Sequence, residues 1–287
     1  MLTSQLCTHE SLSSPALRAW SDRLRPIWDA GGTDPKPFVM HRKMWEWLFI
    51  CEALGERAVL RPGRRGVGFG VGREPLVALF ASVGPEIVAT DLDPSRARAA
   101  GWTDTGGEYT GGLPGLNDDG LCPPAEFADR VSYRYVDMNE LPDDLAGFDF
   151  SWSSCAFEHL GDLSSGLDFV VAQMRCLVPG GVAVHTTEYN VSSDERTVES
   201  GATVLYRRHD IESLMTRLRR EGFTITCDFT EGTTPADRHV DVPPFSETHL
   251  RTTLGEFVTT SIGLIVEKPP DWSPPGRLAR LRHRGGP

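Results

Sequence analysis

A glycine-rich segment and an acid that follows it are the residues best suited to chemistry in this chain. Glycines stand at positions 66, 68, 70 and 72, ahead of a helical stretch, and Asp91 ends the next apolar run. Glycines let a backbone approach a ligand closely, and the N–H groups at the start of the following helix point at it. An acid about 20 residues beyond such a loop can accept hydrogen bonds from ribose hydroxyls. The pattern predicts a strand–loop–helix–strand unit that binds a nucleotide-like cofactor.

The spacing of the glycines discriminates between cofactors. A nicotinamide or flavin requires G-x-G-x-x-G, because the third glycine lets helix and strand pack tightly beneath a pyrophosphate. No frame supplies that glycine, since the positions that need it hold Val71, Arg73 and Pro75. The segment instead reads Gly-x-Gly-x-Gly from Gly68 onward. This pattern resembles the cofactor loop of class I S-adenosylmethionine (SAM) methyltransferases.

Further motifs between residues 58 and 268 resemble the same family, in the same order. They are Tyr135–Pro142, Phe148–Ser154, Phe157–Leu160, Leu177–Gly181 and Arg220–Phe223. In the family they correspond to the segment after the third strand, the fourth strand, the Leu-Glu-His start of the next helix, the turn before strand five and the helix end before strand six. The resemblance implies a Rossmann-like, doubly wound α/β fold with a seven-stranded sheet and an antiparallel last strand. It also implies SAM as cofactor and S-adenosylhomocysteine (SAH) as product.

The resemblance further implies which residues contact the cofactor. They are Gly68, Phe69, Gly70, Gly72, Glu74, Asp91, Leu92, Asp137, Met138 and Ser153. The first acid after the loop is expected to take both ribose hydroxyls, and the second the adenine amino group. One position departs from the family, which often has an acid two residues before the first glycine, near the methionine amino group. Gly66 stands there, so we expect Glu74 or a residue of the N-terminal segment to supply the missing charge.

Three polar residues are candidates for the catalytic set. Methyl transfer from a sulfonium needs a base only when the acceptor must lose a proton, and positioning can supply much of the rest. His159 is the first candidate, because a helix start favours the neutral imidazole. Glu188, just past strand five, could orient His159 or take the proton itself, and Glu158 completes the set. The alternatives are a structural Glu158–His159 pair and a solvated Glu188. Weaker candidates are His41, which could reach the cleft from the cap, and His209, which could reach it as well. His185 is expected in the core.

A metal ion is not expected. Some quinone-pathway O-methyltransferases bind magnesium through Glu-x-x-Glu-His after strand four. Here Cys155 replaces the first acid, and a thiol is a poor ligand for a hard cation. With only Glu158 and His159 left, the sequence predicts no metal.

The chain divides into an N-terminal segment, a core and a tail. Residues 1–57 predict a helical cap, with helices over 15–28 and 37–55. Residues 58–268 predict the core, because strand patterns alternate with helical ones as in a parallel sheet. Residues 269–287, rich in proline and arginine, predict a flexible basic tail.

The core contains seven candidate strands and two long insertions. The strands are 66–69, 87–91, 131–136, 147–153, 181–187, 223–228 and 257–267. The insertions, residues 101–128 and 229–250, carry many glycines and prolines, and loops of this length are commonly functional or disordered. We expect both on the side of the sheet where ligands bind, at the carboxyl ends of the strands.

Charge and composition exclude several classes of partner. The net charge is −11, from 29 Lys and Arg against 40 Asp and Glu, and phosphate backbones repel such a protein, so no nucleic-acid partner is expected. No apolar run approaches the ~20 residues of a membrane helix, and residues 1–14 lack the features of a secretion signal. The six cysteines form no C-x-x-C pair, which favours a cytoplasmic protein. Scarce lysine and frequent arginine are typical of a GC-rich bacterial genome. Oligomeric state, a homodimer included, stays open.

The leading hypothesis is a SAM-dependent methyltransferase of small molecules, of the bacterial secondary-metabolite type. Aromatic residues of the cap suit a flat aromatic or heterocyclic acceptor, or else pack against the sheet; they are Trp20, Trp28, Phe38, Trp45 and Trp47. O-, N- and C-methylation stay open, and the resemblance extends to enzymes that methylate carbon 3 of an indole. The alternatives are a non-catalytic SAM-binding protein, favoured by Gly66, and an aminopropyl- or hydride-transferring enzyme, disfavoured by the missing third glycine.

Overall fold

Residues 1–24, 40–104, 108–245 and 248–274 are described by a computed structural model of the chain. The α-helices in these ranges are α1 (His9–Leu12), α2 (Pro15–Arg23), α3 (Arg42–Glu56), α4 (Leu76–Ser82), α5 (Pro94–Ala99), α6 (Pro124–Arg130), α7 (Leu163–Ala172), α8 (Arg208–Arg220) and α9 (Pro235–Arg238). The strands are β1 (Ser4–Leu6), β2 (Met40–His41), β3 (Arg65–Phe69), β4 (Glu86–Asp91), β5 (Val131–Tyr135), β6 (Phe148–Ser154), β7 (Leu177–Asn190), β8 (Cys227–Asp228), β9 (Thr248–His249), β10 (Thr252–Leu254) and β11 (Phe257–Glu267). Trp28, Phe38 and the tail beyond 274 lie outside these ranges.

A nine-stranded sheet forms the centre of the molecule. Its order is β5-β4-β3-β6-β7-β11-β1-β8, and β10 pairs with β11. The strands from β5 to β7 are parallel, whereas β11 runs antiparallel to β7, from Thr259 opposite Asn190 to Glu267 opposite Val182. This is the doubly wound, Rossmann-like fold with an antiparallel last strand that the sequence predicted, with nine strands instead of seven.

The N-terminal segment contributes a strand that the sequence did not predict. β1 pairs antiparallel with β11, with Gln5 opposite Gly263, and parallel with β8, with Ser4 opposite Cys227. β1 lies between β11 and β8, and the predicted strand 223–228 is limited to the two residues of β8. Thr224 still reaches Glu267 through an isolated bridge. The segment 1–57 is therefore partly a sheet strand and not solely helical.

Helices cover both faces of the sheet. On one face, α3 packs directly on β11: a Cβ placed on Gly263 would lie 2.2 Å from the Phe49 ring, so only glycine fits there. This face also buries α4, and the opposite face buries α7 and α8. Fully burying a side chain such as Phe49 contributes about 1.5–3 kcal/mol. The tryptophan-bearing helix α3 is thus a core element.

The start of α3 is fixed on two sides. His41 is the N-cap, and its Nδ1 accepts a hydrogen bond from the Lys43 N–H. His41 also belongs to β2, which pairs in parallel with β9, so that His41 stands opposite His249. This small second sheet ties the N-terminal segment to the 229–250 insertion, and it holds Arg42 and Lys43 over the carboxyl ends of the main strands.

Candidate functional site

A cavity of about 880 Å³ opens at the carboxyl ends of β3, β4 and β6. Its walls come from the glycine-rich loop after β3, the end of β4, the start of α3 and the 101–128 insertion, to which Glu108 and Tyr109 belong. Its volume lies at the upper end of the range for cofactor and ligand pockets, about 300–1,000 Å³. In open sheets of this kind, ligands bind at this edge.

The glycine-rich loop needs its glycines at two positions. Gly70 and Gly72 have φ of +58° and +50°, a left-handed conformation that favours glycine. A Cβ on Gly72 would lie 2.4 Å from the Glu108 carbonyl oxygen, and one on Gly70 would lie 2.9 Å from the Ala156 Cβ. The backbone therefore borders the cavity without side chains, which leaves room for a ligand to approach it.

Gly66 has no room for the acid that the family often carries there. An ideal Cβ on Gly66 would lie 2.3 Å from the Phe150 ring of β6. The aromatic ring fills the space, and Phe150 is fully buried between Phe80 and Trp152. Packing thus explains why glycine replaces the acid at this position: the Phe150 ring occupies the space that a side chain would need.

Asp91 lies at the end of β4, on the wall of the cavity. Its Oδ2 accepts the Gly72 N–H at 3.1 Å and its Oδ1 accepts the Leu92 N–H at 2.8 Å. Burial raises the pKa of Asp91, and these two N–H groups offset part of the rise. Each carboxylate oxygen has a second lone pair, so the acid can bind ligand hydroxyls while it holds the loop.

Asp137 and Met138 form the wall beyond β5. Asp137 Oδ2 pairs with Arg96 Nη2 at 2.7 Å, and its Oδ1 accepts the Asn139 N–H at 2.8 Å. The Met138 sulfur would be 3.4 Å from a Cβ on Gly70. The cavity therefore contains most of the predicted cofactor residues, namely Gly70, Gly72, Glu74, Asp91, Leu92, Asp137 and Met138.

Three predicted cofactor residues are not on the cavity wall. Phe69 is buried and packs edge-to-face on Phe169 at 5.1 Å. Ser153 is buried too, and its hydroxyl bonds His185 Nδ1 at 2.8 Å. Gly68 lies within β3, and its carbonyl accepts the Thr90 hydroxyl. The side chains of Phe69 and Ser153 and the backbone of Gly68 are thus engaged within the sheet and the layer below it. Contact of these three residues with the cofactor stays a prediction.

A buried charge cluster forms the end of the cavity beneath α3. Lys43 Nζ lies 3.1 Å from Glu46 Oε2 and 3.4 Å from Glu74 Oε1. Burial raises the pKa of Glu74 to about 7, although Lys43 lowers it in part. Burial alone would raise the pKa of Glu46 as well, but Lys43 and Arg42 bring it below its usual value. Lys43 and Glu74 thus place a cation and an acid together at this end of the cavity. The sequence had not decided which residue supplies the charge that is missing at Gly66.

Glu188 is held by Arg42 instead of contacting His159. Its Oε1 forms an ion pair with Arg42 Nη2, and its Oε2 accepts the Thr259 hydroxyl at 2.7 Å. Arg42 Nη1 also approaches Glu46 Oε1 at 3.4 Å. Both oxygens of Glu188 are therefore engaged and the residue is buried, so the alternative of a solvated loop acid is wrong. Its role in orienting His159 or in taking the proton itself stays a prediction.

Glu158 is fully buried beside this cluster. Its Oε2 accepts the Thr187 hydroxyl at 3.0 Å, whereas Oε1 has no hydrogen-bond partner among the described residues. Burial raises the pKa of Glu158, while the neighbouring His159 lowers it in part. Glu158 is thus an acid on the cavity wall with one carboxylate oxygen that no hydrogen bond within the described ranges satisfies.

His159 lies at the mouth of the cavity with a fixed tautomer. Its Nδ1 is 2.7 Å from the Ala202 carbonyl oxygen, which can only accept, so the neutral ring carries its proton on Nδ1. The Trp102 ring stands edge-on to the imidazole at 4.7 Å. Nε2 of neutral His159 is consequently an acceptor, as a general base requires.

Three of these groups are close enough to share a cation. The Cys155 Sγ and the carboxylates of Glu158 and Glu188 lie within 4.8 Å of one another. Arg42 already pairs with Glu188, and a thiol suits soft cations better than magnesium. The absence of a metal stays a prediction.

A second cavity of about 450 Å³ adjoins the first. Arg42, His159 and Glu188 line both cavities. In the second, His41 and His249 stack at 4.5 Å. Its wall is largely polar; the other lining residues are Thr203, Phe245, Thr252, Thr253, Leu254 and Thr259.

The other histidines differ in their burial and in their hydrogen-bond or ion-pair partners. His249 Nδ1 is 2.7 Å from Asp241 Oδ2, and burial lowers the pKa of His41 to about 4. His185 is fully buried in the core, as predicted, and burial lowers its pKa to about 3. His209 is exposed and lies beside Asp194 and Asp210. Sequence reasoning thus missed His249, which carries no recognisable motif.

Of the cap aromatics that the structure describes, Trp20 and Trp45 border neither cavity. Trp45 is fully buried, and its Nε1–H donates to the Ser11 hydroxyl. Trp20 donates to Glu52 on α3 and packs against Gly55. Of the cap aromatics in the described ranges, Trp47 lines the large cavity. The alternative that the tryptophans pack within the protein fits Trp20 and Trp45.

No helix in the described ranges combines the length and apolar character needed to span a membrane.

Comparison with known proteins gives structural likenesses only. No protein-family model and no curated protein matches the chain. The chain is similar to the DhpI–SAH complex, at 13% identity and a TM-score of 0.45, over 92% of this chain and 100% of that one. It is similar to the glycopeptide N-methyltransferase MtfA, at 15% identity and a TM-score of 0.46, over 76% and 94%. It is also similar to a TehB-like SAM-dependent methyltransferase from Corynebacterium glutamicum, at 13% identity and a TM-score of 0.42, over 89% and 100%.

Proposed function

We propose that the protein is a class I SAM-dependent methyltransferase that methylates a small molecule. The observation that carries this proposal is the loop Gly70–Gly72, held by Asp91, at a cavity that shares His159, Arg42 and Glu188 with a second, polar cavity. A methyl donor and its acceptor need two such neighbouring spaces. The sequence resemblance supplies the choice of SAM among nucleotide-like cofactors.

The residues of the large cavity fit SAM. Asp91 would accept the ribose hydroxyls, Asp137 the adenine amino group, and the side-chain-free backbone at Gly70 and Gly72 would border the ligand. Lys43 and Glu74 would hold the carboxylate and ammonium of the methionine end. SAM supplies an activated methyl group when bound; the chain's own residues position it and manage the proton of the acceptor.

The acceptor would occupy the second cavity. Phe245 and the stacked rings of His41 and His249 suit an aromatic or heterocyclic ring, whereas the hydroxyls of Thr203 and Thr252 suit polar substituents. We therefore infer a small heteroaromatic acceptor with hydrogen-bonding groups. O-, N- and C-methylation, indole C3 included, are all compatible with this wall.

His159 would take the acceptor proton on Nε2. The Ala202 carbonyl keeps Nδ1 protonated and stabilises the imidazolium that forms. Glu188 would act indirectly, because it holds Arg42 at the junction of the cavities. A non-catalytic SAM-binding protein loses its main support, since Phe150 explains Gly66 by packing.

We propose that the protein is a cytoplasmic bacterial enzyme of secondary metabolism. The support is compositional: all six cysteines are free thiols, and lysine is scarce. A homodimer is a further expectation, which sedimentation of the purified protein checks.

Calorimetric titration with SAH tests the cofactor assignment. Asp91→Ala should weaken binding at least about tenfold, since hydrogen bonds to a charged acceptor contribute about 1.5–3 kcal/mol each. Asp137→Ala should weaken SAH binding by a smaller factor, because Arg96 already forms an ion pair with that acid. Binding of NADH with no binding of SAH would overturn the proposal. Incubation with methyl-labelled SAM and a panel of indoles, phenols and heteroaromatic amines then identifies the acceptor.

A further inference from the structure

The junction of the two cavities contains more carboxylates than cations. Four glutamates surround it, namely Glu46, Glu74, Glu158 and Glu188, and the cations of this cluster are Arg42 and Lys43. Arg42 pairs with Glu188 and Glu46, and Lys43 pairs with Glu46 and Glu74. Neither pairing includes Glu158.

Glu158 is therefore a buried acid that forms no salt bridge with α3, and Lys43 acts on it only at longer range. Its side chain is fully buried, yet the residue borders the large cavity. One oxygen is satisfied by Thr187, and Oε1 has no hydrogen-bond partner in the described ranges. An uncompensated buried charge is costly, so this oxygen is suited to a cation that arrives from the cavity.

The position of Glu158 indicates which part of a ligand it meets. Its carboxylate lies within 4.8 Å of that of Glu188, which lines both cavities. A methyl group that is to leave one cavity for the other must sit at this junction. The atom that carries the methyl group must lie close behind it.

We infer that Glu158 is the counter-ion of the SAM sulfonium and that it makes the site prefer SAM over SAH. The inference rests on the proposed function. In the transfer, the acceptor atom would form a bond to the methyl carbon as the C–S bond breaks. The electron pair of that bond would stay on sulfur as a neutral thioether, and the acceptor proton would pass to His159. The product then leaves Glu158 without its counter-ion, and SAH is held less tightly than SAM.

Calorimetric titration of three ligands tests this inference. SAM and SAH differ by the methyl group and one positive charge. Sinefungin carries a protonated amine in place of the sulfonium methyl. Glu158→Gln keeps the shape and can still accept the Thr187 hydroxyl. We expect it to weaken SAM and sinefungin about tenfold, as for a partly buried charge pair, and to change SAH less than about twofold.

Asp137→Asn is the matched control, because the adenine end is common to the three ligands. It should weaken SAM, SAH and sinefungin by the same factor. If Glu158→Gln weakens SAM and SAH binding by the same factor, the inference is overturned. Binding of SAH to the wild-type protein would still support the proposed function in that case. Saturable Mn²⁺ or Zn²⁺ binding, lost in Glu158→Gln with an unchanged SAM-to-SAH ratio, would also overturn it in favour of a metal at Cys155. Failure of the wild-type protein to bind any of the three ligands would instead refute the proposed function.

Discussion

At the scale of single residues, side-chain direction decided which sequence assignments fit the cavity. Asp91 is the last residue of β4 and Asp137 follows β5, and both border the large cavity. Phe69 is likewise the last residue of β3, and Ser153 lies inside β6. Successive side chains of a strand alternate between the two faces of the sheet, and both of these are buried. Lys43 was overlooked because one lysine on a helix carries no motif. Its rarity, one of three in the chain, was the available signal.

The buried acid at the methionine end gives cofactor binding a pH dependence. The pKa of Glu74 is raised to about 7 by burial, so the carboxyl is largely protonated below that pH. The ligand ammonium favours the ionised form. SAH affinity should therefore fall as the pH drops from 8 to 6, by up to about tenfold for one linked proton.

Calorimetry across that range provides the measurement, with Glu74→Gln as the comparison. In the variant the linked carboxyl is gone, so its weaker SAH binding should be nearly flat with pH. A wild-type profile that is equally flat, or that rises toward acid, contradicts the assignment of Glu74 to the ammonium. A surface variant, Glu86→Gln, should follow the wild type, because that side chain is 71% exposed.

The proton acceptor can be tested once the labelled-SAM panel yields an acceptor. His159→Ala should lower single-turnover methylation by ~10²–10⁴-fold, the usual contribution of a general base. SAH affinity should change little, since the imidazole stands at the cavity mouth beside Trp102. Methylation at the wild-type rate would falsify the base role and leave positioning alone as the source of catalysis.

At the scale of elements, local patterns predicted the strand–loop–helix units well. β3, the glycine-rich loop and β4 follow one another within a short stretch, and their apolar runs and glycines are local signals. β8 and β1 were not predictable in this way. A strand of three residues, Ser-Gln-Leu, has no periodicity, and β8 pairs with β1 through a contact between distant segments that no local pattern encodes.

The packing of β3 against β6 gives a stability prediction. Gly66→Asn places a polar side chain against the Phe150 ring, where the Cβ alone would be 2.3 Å away. We expect a loss of at least about 2 kcal/mol in the free energy of unfolding, from overpacking and an unsatisfied buried amide. Urea denaturation measures it.

Gly63→Asn is the matched control for that substitution. Nothing lies within 4 Å of a Cβ at Gly63, and its φ of +78° is one that asparagine tolerates better than most residues. The control should lose less than about 1 kcal/mol. If both variants lose the same free energy of unfolding, the Phe150 ring can move aside and residue 66 need not be glycine.

At the scale of the whole molecule, the two insertions and the N-terminal segment complete a site that the core strands only outline. Tyr109 of the first insertion bonds the Leu92 carbonyl over the large cavity, and His249 of the second stacks on His41. The sequence predicted that both insertions lie on this side of the sheet. Which residues meet there depended on contacts between distant segments, which one sequence does not reveal.

β1 gives a prediction at this scale as well. Gln5→Pro removes a backbone donor in a strand flanked on both sides by β11 and β8. A proline in an interior strand removes a ladder hydrogen bond and leaves its acceptor unsatisfied, which costs about 1–3 kcal/mol. The thermal midpoint should therefore fall by roughly 2 °C or more. Gln5→Thr, which keeps the donor, should stay close to the wild type. If both variants melt together with the wild type, β1 is peripheral to the fold.

The same strand sets an order of events during synthesis. Ser4 accepts a hydrogen bond from the Ile265 amide, a contact that spans 261 residues. β1 must therefore stay without its β11 partner until residues 257–267 have been translated. Contacts of such sequence separation slow folding and leave strand edges exposed in the meantime. A chain stalled before residue 257 should remain protease-sensitive at its N-terminus, and the nascent polypeptide should depend on chaperones until β11 emerges.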